Sequence, residues 1–546
     1  MFYDRLWLIR LGFNDMNNSM GEQIYIRTSY SEFDDLYPRV KFFLEQDVLD
    51  VVIDGKKIRG YRSPDTKSIW IRDYSDMLRG LRYFEADVKS VIEHFADTQA
   101  ENGRIFDYFT TTPEKLPYER ENWTKYVRVP VEADVEFRFV KAAYLAWRAS
   151  GDDEWIKGLL PRLEKALEYV QSHPWRWDKK IGLVKRAYTI DTWDFAYTAG
   201  AHHWLQFQID DRTYWGIMHG DNSGYFEAFQ SLARIYSYLG EKKRAEKWEE
   251  RSQKLKRAMN DVCWNGKFYT HFVKITPVTI PGVDETQQLS LSNPMDINRG
   301  TATQKMAESI IQEYLSRKEK SQVFAEWFSI DPPFPDGIFG DEKLKKGAYV
   351  NGGIMPLVGG ELARAAFENG FEEYGVDILR RYASMITAKG ESYLWYFPDG
   401  RSSTRESSTS PEASPTDGWG STAMLYALIE GLAGIQDQNV LFKKVRISPR
   451  WPAAGIDQAE AQIQYAASGA SLGYAYTLNN DGLLLEVRAK NSDVNFHVLV
   501  PADKKIIGVY ADQQRLKYQK IKIRRSSYVD FSAQVTGKSL VKISLK

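Results

Sequence analysis

Several features that define common protein classes are missing from this 546-residue sequence. Its single cysteine, Cys263, excludes an intrachain disulfide and fits a reducing compartment. Lys and Arg together number 73, as do Asp and Glu, and without a long basic run nothing favours a nucleic-acid partner. No apolar run approaches the roughly 18 residues of a membrane-spanning helix, so we expect no membrane partner.

The N-terminal stretch MFYDRLWLIRLGFND is also interrupted by charges and lacks the apolar core of a signal peptide. A cytoplasmic protein is therefore the expectation, although a chain trimmed of a leader would look the same. Nothing in the sequence indicates the oligomeric state.

Motifs for metal, nucleotide and nucleophilic-serine chemistry are missing as well. The seven histidines form no HExxH motif, and His202 and His203 are adjacent, so they cannot share a metal from one helix face. There is no CxxC pair, no phosphate-binding loop, no GxGxxG after a strand and no GxSxG elbow. We therefore expect neither a metal nor a cofactor, with His219 a polar loop residue and Cys263 in the core.

Aromatic residues, by contrast, are abundant. They make up 14% of the chain, with 16 Trp and 32 Tyr. Tyr and Trp combine an apolar face with a polar edge, which suits stacking against sugar rings and also suits the core of a large helical domain. Composition alone favours neither interpretation.

Three regions differ in hydrophobic period. Residues 1–60 hold short alternating pieces such as EQIYIRT and DVVIDGKKI, which predict a small β-rich segment. Residues 61–436 are helical, and roughly six hairpins of about 50–60 residues predict a closed double ring of helices. Residues 437–546 switch to strands separated by NNDG, NSD and PADK, which predicts an antiparallel β-sandwich. The expected fold class is mainly α.

Five long irregular stretches interrupt the helical region, and loops of this length in compact domains are usually functional. They cover residues 102–129, 174–220, 265–297, 327–350 and 389–418, and all of them carry aromatic side chains. Such loops could build a pocket at one end of a helical ring.

Carboxylates near aromatic residues in these loops are the candidate acids and bases. Cleavage of a glycosidic bond needs one carboxylic acid to protonate the leaving oxygen and one carboxylate to activate water. The candidates that lie away from solvated helix faces are Asp73, Asp194, Asp336, Glu406, Glu412 and Asp417.

Several of these carboxylates have a simpler structural interpretation. Asp73 follows Arg72, which would keep it ionised, so it suits binding sugar hydroxyls or capping a helix better than donating a proton. Asp417 precedes GWGSTAM and is typical of a helix cap. Asp191 could cap a helix that holds Asp194 in its first turn, where the dipole lowers a carboxylate pKa unless burial outweighs it.

Several motifs resemble, in order along the chain, those of the six-hairpin glycosidases, whose catalytic domain is an (α/α)6 barrel. SIWIRDYSDMLRGL is similar to the first-hairpin segment of α-L-rhamnosidases and exo-mannosidases. TWDFAY resembles the motif of trehalases and processing α-glucosidases that carries the general acid. YVNGGIMPLVGG and TDGWGSTAMLYALIEGLAGI, the latter followed by VRISP, resemble the later barrel segments that lead into a C-terminal β-sandwich.

The resemblance implies roles for individual residues. Asp194 falls on the general acid, while Glu406, or failing that Glu412, falls on the general base that precedes Trp419. The family's aromatic residue after the base is absent from both RESST and PEASP. The residues expected to form the pocket wall are Trp70, Arg72, Asp73, Trp193, Asp336, Tyr349, Asn351, Trp395 and Trp419.

The implied function is an exo-acting, inverting glycoside hydrolase that acts on an oligosaccharide or glycoside, with an α-glucoside favoured. The rhamnosidase acid motif is missing upstream of WIRD, where the sequence is RGYRSPDTKS, so an α-L-rhamnosidase-like hydrolase ranks second. A phosphorylase on the same fold would need a basic cluster beside the acid. A non-catalytic sugar-binding protein would keep the aromatic wall without a carboxylate pair across it.

Overall fold

The computed structural model describes residues 24–110, 119–122, 126–193, 195–197, 209–409 and 412–546, with backbone only for 119–122. The helices are α1 (Ser31–Asp34), α2 (Leu36–Gln46), α3 (Ile71–Leu81), α4 (Ser90–Asp97), α5 (Val135–Ser150), α6 (Asp153–Ser172), α7 (His219–Tyr238), α8 (Lys242–Cys263), α9 (Ser292–Arg299), α10 (Gln304–Lys320), α11 (Pro356–Glu368), α12 (Glu372–Lys389) and α13 (Gly418–Tyr426). A π-helical segment, Ala427–Leu432, continues α13, and a 3-10 turn spans Trp451–Ala454.

The strands fall into short pieces beside the helices and a large group at the C-terminus. They are β1 (Tyr25–Arg27), β2 (Val48–Ile53), β3 (Lys56–Tyr61), β4 (Ile69–Trp70), β5 (Tyr108–Phe109), β6 (Glu119–Asn122), β7 (Tyr126–Arg128), β8 (Trp177–Asp178), β9 (Leu183–Ala187), β10 (Trp215–Ile217), β11 (Val273–Lys274), β12 (Leu289–Ser290), β13 (Ile330–Asp331), β14 (Ile435–Asp437), β15 (Lys444–Ile447), β16 (Gln458–Gln464), β17 (Ser471–Asn479), β18 (Gly482–Val500), β19 (Ile506–Ala511), β20 (Gln514–Arg515), β21 (Gln519–Ile523) and β22 (Ser526–Leu545).

Within the described ranges, six helices form a closed circuit in which each packs against the next. The order is α3, α5, α7, α9, α11 and α13, and α13 packs back on α3. Other helices pack on this circuit: α2 on α13, α6 on α5, α8 on α7, α10 on α9, and α12 on α11. These five helices therefore form a second set that packs on the circuit.

Burial patterns separate the two sets. In α5 every residue except the terminal Ser150 is buried, as expected for a helix that has neighbours on all sides. In α8 the buried residues form one stripe at helical spacing, Trp248, Ser252, Leu255, Met259 and Cys263, and the remaining face is charged. The prediction that Cys263 lies in the core is confirmed.

The predicted β-rich N-terminal segment is wrong for much of its described part, because residues 31–46 are mostly helical. The buried residues of α2 are Leu36, Val40, Phe43 and Leu44, whose spacing follows a helix rather than a strand. Strands β2 and β3 do form a hairpin after this helix. Strand β1 pairs with β16 and so joins the C-terminal sheet.

The C-terminal strands, together with β1, form a ten-stranded, mainly antiparallel sheet within the described residues. Its two long strands, β18 and β22, pair with each other along almost their whole length, and their register shifts between Ala489 and Ser492. Before that shift β18 has β17 as its second neighbour, and after it β18 pairs in parallel with β15. A bulge in a long strand bends the sheet at this point.

No helix in the parts of the chain that the structure describes is long and apolar enough to span a bilayer.

A close contact between backbones allows a direct test of the helix circuit. A Cβ added to Gly360 on α11 would lie 2.3 Å from the carbonyl carbon of Ala423 on α13. Because the obstacle is backbone, Gly360→Ala should force the two helices apart and lower the free energy of unfolding by at least about 2 kcal/mol. Urea denaturation measures the change.

The matched control is Gly158→Ala on α6, where an added Cβ would meet nothing within 4 Å. That substitution should stabilise the protein by about 0.5–1 kcal/mol, since alanine loses less conformational entropy in a helix. A neutral or stabilising Gly360→Ala would show that α11 and α13 do not pack as described.

Candidate active site

The N-terminal ends of the circuit helices meet at one end of the ring. Arg72, at the start of α3, donates to Asp134, immediately before α5, with Nε–Oδ2 and Nη2–Oδ1 distances of 2.9 Å each. Asp191, in the long loop before α7, accepts a 2.6 Å hydrogen bond from Ser292 Oγ at the start of α9. The long loops therefore converge at this end, as the sequence predicts for a pocket.

Four aromatic residues from separate segments form a contiguous cluster there, which we call the aromatic cluster: Trp193, Tyr349, Trp395 and Trp419. The ring centroid of Trp193 lies 5.2 Å from that of Tyr349 and 5.7 Å from that of Trp419. Tyr349 lies 6.1 Å from Trp395. The structure thus brings together four of the residues predicted for the pocket wall.

Local backbone constraints place two of these rings. Tyr349 has φ of +46°, a left-handed conformation, and its backbone packs against Gly353, where a Cβ would lie 2.4 Å from the Tyr349 carbonyl oxygen. The second glycine of YVNGG, Gly353, is therefore required, because any side chain there would collide with the Tyr349 backbone. Asp417 caps α13 by accepting from the backbone N–H groups of Trp419 and Gly420 at 3.0 Å each, which confirms its predicted capping role.

Beside the aromatic cluster lies a buried set of charged residues, the charge cluster: Arg72, Glu132, Asp134, Arg186 and Asp221. Arg186 donates from Nη1 to Asp221 Oδ1 at 3.1 Å and from Nη2 to the backbone oxygen of Trp193 at 2.7 Å. Arg72 also donates to Glu132, and its guanidinium lies 5.6 Å from the Trp193 ring. The cluster therefore fixes both the backbone and one face of Trp193.

The carboxyl groups of this cluster have opposite pKa shifts. Burial opposes ionisation of Asp134, but the charges of Arg72, Arg138 and Arg186 outweigh it and hold the pKa below its ordinary value. Burial raises the pKa of Glu132 well above normal, against the opposing charge of Arg72. Asp134 is thus the ionised partner of Arg72 and Glu132 is the protonated neighbour.

Asp73 differs from the predicted ionised residue. It is the third residue of α3 rather than its cap, and only 6% of it is exposed. Burial and then the nearby charge of Asp65 raise its pKa to about 8, while the opposing charge of Arg72 is smaller. The expectation that Arg72 keeps Asp73 ionised is wrong, because Arg72 is held by Asp134 and Glu132.

Asp65 is a second buried carboxyl group at this end of the circuit, in the loop before β4. Its Oδ1 accepts from Ser63 Oγ at 2.7 Å, and its Oδ2 lies 3.4 Å from the hydroxyl of Tyr349. Asp65 is only 8% exposed. It therefore lies beside Tyr349 of the aromatic cluster.

The turn that carries Trp193 is held by Asp191. This residue is fully buried with φ of +45°, and its Oδ1 accepts from Thr192 N at 2.7 Å as well as from the Ser292 hydroxyl. Its Oδ2 lies 3.3 Å from Ser292 N, and its own N–H donates to His271 Nε2 at 2.9 Å. Asp191 therefore contacts the first residue of α9 rather than capping a helix that begins beside it.

Two buried histidines, His219 and His271, lie near this turn. His219 is buried at the start of α7, and its Nδ1 lies 2.5 Å from Asp296 Oδ2. Burial opposes protonation of His219, but the charge of Asp296 raises its pKa. Burial lowers the pKa of His271 to about 4, so this ring is neutral and accepts from Asp191. The part of the chain that the structure describes holds no group of three or more potential metal ligands.

The predicted acid and bases occupy different positions. Asp194 lies outside the described residues. Glu406 is on an exposed turn, where its own backbone N–H and the hydroxyl of Thr404 lower the pKa of its carboxyl. Glu412 is half-buried and pairs with Arg62, and its backbone N–H donates to the Asp65 carbonyl at 3.1 Å. Of the two predicted bases, Glu412 is thus the one whose backbone contacts the loop that carries Asp65.

Two residues predicted for the pocket wall have other contacts. The Asn351 amide donates to the carbonyls of Phe334 and Leu344, and its oxygen accepts from the Phe334 N–H at 2.7 Å. Asp336 is exposed and accepts from the Lys346 N–H at 2.7 Å, which closes its own loop. Both side chains are used to shape the loop before α11 rather than to face a ligand.

Trp70 stands just outside α3. Its Nε1 donates to Thr66 Oγ1 at 3.0 Å, and its ring lies 4.1 Å from that of Tyr108. It is only partly buried.

Sequence reasoning missed Glu132, Asp134, Arg186 and Asp65. Glu132 and Asp134 stand in VEAD immediately before α5, at the position where carboxylates before or within a first turn favour the helix dipole. The position of these two carboxylates immediately before a helix was the available signal. Arg186 has no such signal, because only the folded chain places it beside Asp221 and Glu132.

No protein-family model matches the chain, and no match was found among curated protein sequences. Solved structures do match. The α-L-rhamnosidase of Dictyoglumus thermophilum gives a TM-score of 0.59 at 10% identity, over 96% of this chain and 51% of that one. The Streptomyces avermitilis α-L-rhamnosidase in complex with L-rhamnose gives a TM-score of 0.60 at 13% identity. This match covers 95% of the present chain and 42% of the rhamnosidase.

A GH63 mannosylglycerate hydrolase from Thermus thermophilus, in complex with glucose, gives a TM-score of 0.51 at 13% identity. This match covers 72% of the present chain and 99% of the hydrolase. The chain spans about half the length of the rhamnosidases or less. These neighbours belong to the six-hairpin glycosidases, so the resemblance seen in the sequence is confirmed at the level of the fold.

The Asp191 turn yields a test of how Trp193 is positioned. In Asp191→Ala, the Ser292 hydroxyl loses its charged hydrogen-bond acceptor, and alanine disfavours the positive φ of this position. The free energy of unfolding should therefore fall by about 2–4 kcal/mol. Asp191→Asn keeps an acceptor and tolerates the left-handed conformation, so it should lose about half as much. Urea denaturation compares them, and equal losses would contradict the assigned contacts.

Proposed function

We propose that this protein is an exo-acting glycoside hydrolase that removes a terminal sugar with inversion of configuration. The observation that carries the proposal is the aromatic cluster, assembled from separate loops beside buried carboxylates at one end of the helix circuit. Aromatic faces stack on the apolar faces of sugar rings, and carboxylates bind hydroxyls and carry the acid–base chemistry. The shared fold of the rhamnosidases and the mannosylglycerate hydrolase supports the same class of reaction.

The architecture proposed for this function is an (α/α)6 barrel. We take the circuit helices as its inner ring and residues 61–436 as the catalytic domain, with residues 437–546 as a β-sandwich. The long loops before the inner helices then form the substrate pocket. A pocket closed on the other sides by helix ends would admit a chain end rather than the middle of a polysaccharide.

Asp194 is our choice of general acid. It follows Trp193 directly, and Trp193 belongs to the aromatic cluster. In the reaction the Asp194 carboxyl would give its proton to the glycosidic oxygen as the bond to the anomeric carbon breaks. A carboxylate on the opposite face would take a proton from water, whose oxygen then bonds to that carbon.

Two glutamates remain candidates for the general base, and their surroundings differ. Glu412 donates its backbone N–H to the loop that carries Asp65, whereas Glu406 lies on an exposed turn. Contact with the pocket loop supports Glu412, although its pairing with Arg62 would have to open for it to receive a proton. An inverting pair needs a separation of about 6.5–9.5 Å to hold the water.

An α-glycoside such as an α-glucoside is the proposed substrate. A second candidate is an α-L-rhamnoside, favoured by one observation. The rhamnosidases match 95–96% of this chain, including the C-terminal sheet, while the mannosylglycerate hydrolase covers 72%. The missing rhamnosidase acid motif counts against this alternative.

The test is a screen of aryl α-glucosides, α-mannosides and α-L-rhamnosides, with phosphate present and absent. We expect phosphate-independent release of one terminal sugar, and proton NMR should show the inverted anomer first. Asp194→Asn should lower kcat by about 10²–10⁴-fold, as expected for loss of a general acid. Glu412→Gln should lower kcat to a similar extent if Glu412 is the general base. If Glu406 is the base, Glu406→Gln should cause this loss instead.

The matched control is Glu246→Gln on the exposed face of α8, which should leave activity unchanged. Turnover that requires phosphate would identify a phosphorylase instead. Sugar binding without turnover of any glycoside would identify a non-catalytic carbohydrate-binding protein.

A further inference from the structure

A cavity of about 440 Å³ lies away from the aromatic cluster, between α12 and the segment that joins α10 to β13. This volume is within the range of roughly 300–1,000 Å³ that is typical of small-molecule pockets. Its wall includes Phe324, Trp327, Arg380, Arg381, Ser384 and Met385. The last four share one face of α12, because residues four apart in a helix are neighbours. Ser384 is exposed, so the cavity reaches the protein surface.

The apolar part of the wall comes from both sides of the cavity. The Phe324 ring lies edge-on to that of Trp327, with 6.4 Å between the centroids. The guanidinium of Arg381 lies 5.2 Å from the centroid of the Trp327 ring and covers it. Phe324 and Met385 are only partly buried. These two side chains therefore provide the apolar surface that a ligand could contact.

The arginines of the wall are neutralised by carboxylates. Arg381 donates from Nη1 and Nη2 to the two oxygens of the buried Glu326 carboxylate at 2.9 and 2.7 Å. Three cations and three carboxylates are paired here: Arg380, Arg381 and Lys318 with Glu32, Glu326 and Asp377. Because these charges balance, the wall favours a neutral ligand over an anion.

The wall also has hydrogen-bond donors to spare. Arg380 donates from Nε to Glu32 at 3.3 Å and from Nη2 to the Ala454 carbonyl at 3.0 Å, and within the described residues its Nη1 has no partner. Trp327 is 1% exposed, and its Nε1 also has no partner among those residues. Ser384 adds an exposed hydroxyl. A ligand that combines an apolar face with several oxygen acceptors would match this wall, and a pyranose ring has both.

The cavity is next to the segments that carry the aromatic cluster. The Trp327 carbonyl accepts from the Met355 N–H at 2.8 Å, directly before α11. The Phe324 ring lies 5.9 Å from that of Tyr396, which follows Trp395 of the aromatic cluster. A ligand held in the cavity would therefore lie near the candidate active site without occupying it.

We propose that this cavity is a second carbohydrate site, which binds one neutral pyranose unit of an oligosaccharide. The ring would lie against Phe324 and Met385, and its hydroxyls would accept from Arg380 Nη1 and bond to the Ser384 hydroxyl. The choice of a sugar as the ligand rests on the proposed function. The site would keep an oligosaccharide near the active site while the aromatic cluster holds the terminal unit.

The test counts bound sugars by equilibrium dialysis. The probes are the methyl α-glycosides of D-glucose, D-mannose and L-rhamnose, and Asp194→Asn is the parent protein so that the probes stay intact. We expect two molecules of the best probe per chain, one at the aromatic cluster and one in the cavity. Adding Ser384→Trp should fill the cavity and reduce the number to one. In the wild-type background, Ser384→Trp should leave kcat and KM for the aryl glycoside of that sugar unchanged.

The matched control is Thr387→Trp, which places the same side chain at an exposed position of α12 that does not line the cavity. It should keep two bound sugars per chain. Benzoate and inorganic phosphate are dialysed in parallel, and neither should be retained in the cavity.

Three results would overturn the second site. They are a single bound glycoside in the parent protein, an unchanged number in Ser384→Trp, and retention of benzoate or phosphate but of no glycoside. The proposed function can fail separately. Two bound sugars, one of them lost in Ser384→Trp, with no hydrolysis of any aryl glycoside by the wild-type protein would support the cavity site and refute the hydrolase. Hydrolysis with one bound sugar would do the reverse.

Discussion

The carboxylate of Asp76, inside the helix circuit, ties three of its helices together. From α5, Arg138 Nη1 donates to it at 2.7 Å and Lys141 Nζ at 2.6 Å, and from α13 Trp419 Nε1 donates at 3.0 Å. Burial opposes its ionisation, but the charges of Arg138, Lys141 and Arg79 hold its pKa well below normal. Removing one member of such a buried pair costs about 3–5 kcal/mol, so the register of these helices is strongly fixed.

From Asp76 a chain of contacts between buried polar side chains runs without a break to Arg186, which holds the backbone of Trp193. Arg138 also contacts Asp134 at 3.3 Å, Asp134 holds Arg72, and Arg72 leads through Glu132 to Arg186. These contacts engage Arg72 and Arg138, the two arginines whose charges oppose the rise in the pKa of Asp73.

Part of this organisation could be predicted from the sequence. The helical period, the five loops and the order of the motifs were sufficient to place Trp193, Tyr349, Trp395 and Trp419 at one site, since each has a local signal. Asp417 was predicted as a cap from its position before GWGS. These predictions depend on short-range rules, which a single sequence carries well.

Other features depend on contacts between distant segments, which the sequence does not display. Arg72 was expected to keep its neighbour Asp73 ionised, which would lower the pKa of Asp73. The partner of Arg72 is instead Asp134, from a distant segment, and the pKa of Asp73 is raised. Asn351 was assigned to the pocket from its motif, yet its amide is taken by backbone groups of its own loop. Residues 31–46 were assigned to a β-rich segment because the flanking alternating pieces outweighed the helical spacing of α2.

A crystal structure with the sugar released from the best substrate bound would test the central claim most directly. If the protein is a glycoside hydrolase of the proposed kind, one sugar ring should lie against the aromatic cluster. A sugar oxygen should be within hydrogen-bonding distance of Asp73, and the anomeric carbon should face Asp194. Density for the sugar at the opposite end of the helix circuit, or on the C-terminal sheet alone, would contradict it.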